Sequence, residues 1–526
     1  MSHLLNQSAS RIKSNRCVNS RIDVQTASAL RVVPEAGIDR SLVKRWLSEC
    51  IEHHSVCGAG KHDGYAALLF IDVRRKCLVL TTNAGYFALS YVWGKTEQFL
   101  LKQENIVELS EDGALHKHWD KLANVLKDAI TFVDNLSEQY LWVDTLCIIQ
   151  DSPGRHTFLS RMNEVYRAAT CTLVAMDSTN AISYLPGFVV RKRSDLASAF
   201  NTSVYESRAW TFQQRTLSSR CLYFMKEQVY FQCQESIWSK DRFEDIEQDF
   251  DLEGAYPSLQ WMGHFAMALE CSKFSAYAQL VTQYSKRELS YPTDRLNAFS
   301  GIISSLDKAW KWKLFAGMPS NSLDQALLWG PTAACYRVQS TKMEQYLPSW
   351  PWAGCTGKVQ FSEFASTHKA QIWRFIITTV NGAVDIQLPD GDKPYAIVET
   401  TKRIIPKNVA DDTHLTSVSY QLKDMPNLLM FHTEVIWRED LKKEDVVQLD
   451  DAYHIYGRYR YILVAQSYPN SLRGQCAWIM LIRATEEGFS EKVVLRTVTM
   501  QEVVGRSSCL RKDLSRIVDI SSSTIL

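Results

Sequence analysis

The chain has 526 residues, of which 46% are hydrophobic and 22% charged, and its formal net charge is +1 at pH 7. This length allows about two to four domains, and the near-zero charge gives no overall attraction to nucleic acid or anionic membranes. No run reaches the roughly 18 apolar residues of a membrane span. The 13 cysteines lack framework spacing and the start lacks a secretory signal, so we expect reduced thiols and a cytoplasmic protein.

The amino-terminal segment divides into a polar tail and a compact start. Residues 1–38 are rich in serine and arginine, and we expect a disordered tail there. Behind a cap at Asp39 or Ser41, apolar residues recur at three- and four-residue spacing, which predicts a helix. Strand-like runs follow at 66–71 and 76–81. We therefore assign 39–83 to an N-terminal helix with strands.

The next segment alternates between strand and helix patterns. Strands are predicted at 87–92, 140–146 and 171–176, and amphipathic helices at 121–136 and 158–169. This alternation is typical of right-handed crossovers onto a parallel sheet, whose ligands bind beyond the carboxyl ends of the strands. The predicted fold class is α/β for a domain at 84–257.

Two further regions follow, and their patterns of apolar residues differ. Residues 258–347 favour helices, around 259–284 and 296–306. After the motif Pro348–Trp352, β-branched and alternating runs dominate, and we expect 348–526 to be rich in β-strands.

Three blocks in the α/β segment carry polar and aromatic residues that a buried strand does not need. They are Phe87–Gly94, Tyr140–Asp151 and Ser207–Ser218. The first ends in Trp93-Gly94, and the second places Asp144 and Asp151 at a predicted strand end. The loop after Met176 belongs to the same predicted edge of the sheet.

In these blocks the sequence resembles the fungal heterokaryon-incompatibility (HET) domain family, over about residues 84–215. The matching positions are Leu89, Ser90, Tyr91, Trp93 and Gly94; Leu141, Trp142, Val143, Asp144, Leu146, Cys147, Ile148, Gln150 and Asp151; and Arg208, Trp210, Thr211, Gln213, Leu217, Ser218 and Arg220. One position departs from the family pattern, because Gln214 stands where a Glu is usual.

The resemblance implies a fold and a chemistry. HET domains are thought to be distant relatives of Toll/interleukin-1-receptor (TIR) domains, some of which hydrolyse NAD with a Glu four residues after a Trp. Trp210 and position 214 have that spacing. The resemblance thus implies catalytic roles for Gln214, Asp144 and Arg208, with NAD as substrate. The nucleotide-binding residues it implies are Ser90, Tyr91, Trp93, Gly94, Asp151, Trp210 and Gln213.

Structural roles compete with each of these assignments. A carboxylate stabilises the positive charge that develops on the ribose when an N-glycosidic bond breaks, and a neutral Gln lacks that charge. Asp144, Asp151, Glu206 or Glu227 are the substitutes we consider. Asp144 could instead order a loop by pairing with Arg208, and Trp93 and Trp142 could be core residues.

A separate pattern lies in the first helix. Cys50, His54 and Cys57 fall on one helix face, and thiolates with an imidazole are zinc ligands, with His62 as the nearest fourth candidate. The alternative is a helix with buried cysteines and exposed histidines.

The functional expectation follows from the resemblance. We expect a protein of fungal nonself recognition that triggers programmed cell death, partnered by other proteins of that response or by its own copies. One hypothesis is a signalling or self-associating module, and the other is an NAD-type glycohydrolase weakened at Gln214.

Overall fold

The computed structural model describes residues 39–176, 203–240, 273–332 and 347–361, apart from short gaps. It also describes a few single positions between these ranges and a series of strands between residues 368 and 525. Predictions for residues 1–38, 259–272 and Leu185–Gly187 lie outside that part. None of the helices that it contains combines the length and hydropathy of a membrane span.

An eight-stranded mixed sheet forms the first body of the chain, in the order β2-β1-β4-β3-β5-β6-β7-β8. Its strands are β1 Leu68–Asp72, β2 Cys77–Thr81, β3 Phe87–Ser90, β4 Tyr140–Trp142, β5 Cys171–Ala175, β6 Arg220–Phe224, β7 Val229–Cys233 and β8 Ile237–Ser239.

The centre of this sheet is parallel and its two edges are antiparallel. Strands β4, β3 and β5 run parallel to one another, as the crossover pattern predicts, and β6 extends this parallel centre. The hairpin β1–β2 joins β4 antiparallel, and β7–β8 joins β6 antiparallel. A purely parallel sheet is therefore the wrong description, because short hairpins on each side allow only antiparallel pairing.

Helices of two or more turns pack around this sheet and beyond it. They are α1 Arg40–His53, α2 Asn124–Asn135, α3 Met162–Ala168, α4 Ala209–Leu217, α5 Lys273–Ser285 and α6 Ser300–Trp310. One-turn helices are Ile106–Leu109, Ala114–Lys117, Asp144–Cys147, Val204–Ser207 and Leu323–Ala326. Short 3-10 turns are Trp119–Lys121, Pro292–Arg295, Asn297–Phe299, Ser320–Ser322 and Trp352–Gly354.

Helix α1 shows why the sequence pattern works. Its buried residues are Leu42, Val43, Trp46, Leu47 and Cys50, which have the three- and four-residue spacing on which the prediction rests. The Asp39 carboxylate caps the helix by accepting from the Ser41 amide at 2.9 Å. The same stripe packs against the sheet, where Trp46 and Phe231 have ring centroids 6.0 Å apart.

One strand is shorter than expected. The predicted strand 140–146 ends at Trp142, and Asp144 begins a one-turn helix. Asp is depleted in strands and is favourable in the first turn of a helix, and this local preference at Asp144 ends β4 early.

A second hydrophobic core lies beside the first and joins α5 and α6 to the back of α4 through Ala209, Phe212 and Leu217. Small antiparallel pairs, β9 Leu314–Phe315 with β10 Met318–Pro319 and β11 Trp329–Pro331 with β12 Val359–Phe361, complete this region.

The expected β-rich C-terminal region contains a ten-stranded sheet that is almost wholly antiparallel. Its strands are His368–Ala370, Arg374–Thr379, Gly382–Gln387, Ala396–Thr400, Leu429–Phe431, Val435–Ile436, Tyr459–Ser467, Cys476–Ala484, Ser490–Thr499 and Ser523–Ile525.

Candidate functional site

The carboxyl ends of β3 and β4 bring two predicted site residues together. These strands are neighbours and run parallel, so the segments that follow them leave the sheet side by side. The indole Nε1 of Trp93 lies 3.2 Å from both carboxylate oxygens of Asp144 and donates to them. Asp144 thus orders the loop after β3 through Trp93.

The loop after β3 is fixed by further contacts. Gln98 donates from Nε2 to the Trp93 carbonyl at 2.8 Å and accepts from the Tyr91 hydroxyl at 3.1 Å. Burial, and then the nearby Asp144 carboxylate, raise the pKa of Tyr91 above its ordinary value, so this phenol stays protonated. Gly94 turns the chain with a φ of 70°, a conformation that suits glycine.

Asp151 lies farther along the second block and is exposed. Its carboxylate accepts from the Gln103 backbone amide at 3.0 Å. Gln150 ties the same segment to Asp144 by donating from Nε2 to the Asp144 carbonyl at 2.7 Å. These bonds hold the loop that follows the short helix Asp144–Cys147.

Ser90, at the end of β3, is the centre of a buried hydrogen-bond chain. The Tyr205 hydroxyl lies 2.6 Å from Ser90 Oγ, and Ser90 in turn donates to Oε1 of Gln214. Tyr205 is 0% exposed and Gln214 4% exposed. Because a serine has one hydroxyl proton, Tyr205 is the donor to Ser90 when Ser90 donates to Gln214.

Gln213 is engaged on the other side of α4. Its Oε1 accepts from the backbone amide of Gly301 at 2.8 Å, near the start of α6. A side chain at 301 would collide there, since its Cβ would lie 2.3 Å from Asn163 Cβ and 2.7 Å from Leu217 Cδ1. Gln213 thereby joins α4 to α6 at a point of close backbone approach.

Trp210 and Arg208 lie where the eight-stranded sheet and its helices meet the second hydrophobic core. Trp210 is half-buried and packs against both hydrophobic cores. Arg208 donates from Nη2 to Ser290 Oγ at 3.2 Å, so the partner considered for it, Asp144, is replaced by a residue of the helical region. Backbone bonds from Ala209 to Glu288 and from Glu288 to Ser207 reinforce this junction.

Glu206 sits in a buried charged cluster at the same junction. Its carboxylate lies 2.9 Å from Arg215 Nε and also pairs with Arg287 Nη2. The two arginine side chains are 3% and 2% exposed. Arg287 also lies over the Phe212 ring, 4.5 Å from its centroid.

A shallow recess opens beside β4. Its lining contains Trp142 and Ile148 and an acidic side chain, Glu164 of α3. Its enclosed space is close to the size of a single water molecule, so it is not by itself a substrate pocket.

The predicted metal ligands Cys50, His54 and Cys57 meet Cys233, at the end of β7. The three sulfurs and the imidazole nitrogen all lie within 4.8 Å of one another. Hydrogen bonds from Cys233 and then Cys50 lower the pKa of the Cys57 thiol. His62 lies outside the described residues.

The fold and these contacts define a mixed α/β domain with a parallel centre and a polar network at its strand ends. Residues 86–219 match the family model described as heterokaryon incompatibility protein (HET). Residues 86–219 are therefore a HET domain, as the three sequence blocks predict. No curated protein and no solved structure matches the chain.

Two features were missed by the sequence analysis. Cys233 lies 176 residues after Cys57 (233 − 57), and only the antiparallel pairing of β6 with β7 places it beside α1. Arg287 lies far from Glu206 in sequence, and no motif links them. Both belong to long-range contacts, which local patterns do not encode.

Proposed function

We propose that this chain acts in fungal nonself recognition through a TIR-like HET domain that signals by self-association and does not cleave NAD efficiently. The observation that carries the proposal is the state of Gln214. Its side chain is 4% exposed and its amide oxygen accepts from Ser90. In our proposal this residue stabilises the domain.

The physical reason lies in the charge that glycosidic cleavage requires. Breaking the nicotinamide–ribose bond leaves positive charge on the sugar, and a nearby carboxylate stabilises it. An amide at position 214 can accept a hydrogen bond but carries no charge. Loss of one such focused interaction costs about 3–4 kcal/mol, or a rate reduction on the order of a hundred- to a thousand-fold.

The other carboxylates that we considered as substitutes are already engaged. Asp144 accepts from Trp93, and Asp151 accepts from the Gln103 amide. Glu206 pairs with Arg215 and Arg287. Recruiting any of them for catalysis would break a contact that stabilises the fold. Glu227 lies outside the described residues.

A weakened NAD-type glycohydrolase is the second candidate. Trp210 and Gln214 lie four residues apart on α4, the arrangement that the TIR resemblance requires. In this alternative Ser90, Tyr91, Trp93, Gly94, Asp151 and Gln213 contribute to nucleotide binding.

The expected setting is the cytoplasm, with other nonself-recognition proteins or further copies of this chain as partners and with growth arrest or cell death as the output. We expect no nucleic-acid partner. These expectations rest on the family resemblance and on the near-neutral charge.

NAD consumption by the purified full chain distinguishes the two candidates. We expect no turnover by the wild type, and a toxic phenotype when the same chain is overexpressed in a fungal host. Gln214→Glu is the informative variant. Its control is Glu288→Gln, which changes an exposed residue just after α5.

Measurable NAD cleavage by the wild type, lost in Gln214→Ala, would refute the signalling proposal. Cleavage that appears only in Gln214→Glu would show that the position faces a nucleotide and that the wild type has lost the reaction. Toxicity retained by a chain that consumes no NAD in either form supports the proposal. Asp144→Ala and Arg208→Ala then report whether the strand-end network is needed for toxicity.

A further inference from the structure

The thiol and imidazole groups at the end of α1 form a complete set of ligands around a common centre. Cys50 and Cys57 are 0% and 5% exposed, and Cys233 is 6% exposed. The His54 Nδ1 atom lies 3.2 Å from Cys233 Sγ and 4.0 Å from Cys57 Sγ. Four convergent soft and borderline donors are the usual ligands of structural zinc.

The spacing of these atoms suits a tetrahedral ion. Zinc binds thiolate at about 2.3 Å and imidazole at about 2.0 Å, which places neighbouring ligand atoms roughly 3.5–3.8 Å apart. The observed upper limit of 4.8 Å and the two distances from Nδ1 bracket that range. A hydrophobic core would bury cysteines as well, but it would not aim an imidazole nitrogen at their sulfurs.

The surrounding groups supply what a thiolate-rich zinc site needs. Three thiolates with one Zn²⁺ carry a net charge of −1, and the buried Arg220 guanidinium offsets it by donating from Nε to Cys50 Sγ at 3.1 Å. The backbone amides of Glu235 and Ser236 donate to Cys233 Sγ at 3.4 and 3.2 Å. Such outer contacts orient ligands and stabilise their charge.

The imidazole is oriented through its second nitrogen. Ser236 Oγ lies 3.5 Å from His54 Nε2, which leaves Nδ1 directed at the sulfurs. With Nδ1 as the ligand, the Nε2–H group faces the hydroxyl, the arrangement that metal-bound histidines commonly have.

We propose that Cys50, His54, Cys57 and Cys233 bind one structural Zn²⁺, which fastens helix α1 to the β7–β8 hairpin of the HET-domain sheet. Three ligands come from the helix and the segment after it, and the fourth comes from a strand end far along the chain. Zinc binding therefore closes a long loop and couples the N-terminal helix to the fold of the domain.

The test is the amount of zinc bound per full-length chain. The protein is purified with a reductant and dialysed against buffer that contains a trace of zinc before its metal content is measured. We expect one zinc per wild-type chain and a loss of at least about tenfold in retained zinc for Cys233→Ser. Cys77→Ser is the matched control, because Cys77 is a free buried cysteine outside the cluster, and its zinc content should equal that of the wild type.

Two further measurements keep the proposal open to refutation if Cys233→Ser does not fold. His54→Cys preserves four ligands and should retain zinc, whereas His54→Ala should lose it. Cobalt added to the metal-free wild type should give thiolate-to-cobalt charge-transfer absorption. A folded wild type that holds less than about 0.1 zinc per chain and shows no such absorption would overturn the proposal. Equal zinc content in the wild type and Cys233→Ser would also overturn it.

Discussion

The strand ends and the thiol cluster are two polar regions of the same domain, and they are built in opposite ways. At the strand ends, polar groups pair with each other: Trp93 with Asp144, and Ser90 with Gln214. In the thiol cluster, four ligand atoms converge on one point. Paired groups satisfy each other, whereas convergent ligands of this kind suit the zinc ion that we propose. Polar residues at a strand end are therefore not by themselves a binding site.

The largest effect expected from breaking a paired network is at Glu206. Glu206→Gln leaves the guanidiniums of Arg215 and Arg287, 3% and 2% exposed, without their countercharge. We expect a loss of about 3–5 kcal/mol in the free energy of unfolding, measured by urea denaturation. Glu288→Gln, which removes an exposed charge at the same junction, should change stability by less than about 0.5 kcal/mol. Similar values for the two variants would contradict the network.

The second-largest loss of stability is expected at Gly301, where α6 approaches α3 and α4 closely and Gln213 accepts a hydrogen bond from the Gly301 amide. Gly301→Ala places a Cβ 2.3 Å from Asn163 Cβ, so α6 must move away from α3 and α4. We expect a loss of about 1–3 kcal/mol in the free energy of unfolding. Gly330→Ala, where an added Cβ meets nothing within 4 Å, is the control. Gly301→Ala and Gly330→Ala variants of equal stability would show that the helices do not meet this closely.

A smaller effect is expected where the strand-end network is half-buried. Trp93→Phe keeps the ring but removes the indole N–H that Asp144 accepts. We expect a loss of about 1–2 kcal/mol in stability, since the bond goes to a charged group that retains some access to water. The loop after β3 should also exchange its amide hydrogens faster. Unchanged exchange in Tyr91 and Gln98 would argue against this role for Trp93.

The smallest change in stability is expected at Asp128 of α2, which belongs neither to the strand-end network nor to the thiol cluster. Its Oδ2 is buried without a hydrogen-bond partner among the described residues, and burial raises its pKa from the ordinary 3.8. The folded state therefore binds this proton more tightly than the unfolded state. Wild-type stability should rise relative to Asp128→Asn as the pH falls from 7 towards 3.8.

At neutral pH the Asp128→Asn variant should be more stable than the wild type by less than about 1 kcal/mol. Thermal unfolding at a series of pH values measures this difference. A variant that is less stable at pH 7 would mean that the carboxylate has a stabilising partner.

Local patterns in the sequence predicted most strands of the sheet, including β1 and β2 at one edge, but not the direction in which the edge strands pair. The spacing of apolar residues located β3, β5, α1 and α2, because burial on one face imposes that spacing. It did not predict that the hairpins β1–β2 and β7–β8 would make the sheet mixed, since strand direction depends on pairing between distant segments.

For the site residues too, the sequence predicted groups that are close along the chain but not their partners from distant segments. The sequence grouped Cys50, His54 and Cys57 on one face of a predicted helix, but that helix ends at His53, and the fourth member, Cys233, comes from a strand end. Seven described cysteines carry free thiols, as expected, while Cys355 is disulfide-bonded and departs from that expectation. Motif spacing likewise predicted that Trp210 and Gln214 share one helix. It could not predict that the Ser90 hydroxyl would donate a hydrogen bond to the Gln214 side chain.

A double-mutant cycle on Ser90 and Gln214 tests the central claim that this pair is a closed structural contact. The variants are Ser90→Ala, Gln214→Met and their combination, with Ser90→Ala and Gln213→Met as the control cycle, and unfolding free energies are the readout. We predict a coupling of about 0.5–3 kcal/mol for the first cycle and additivity within about 0.5 kcal/mol for the second. Additive losses at Ser90 and Gln214 would contradict the account, because Gln214 would then be free to face a ligand.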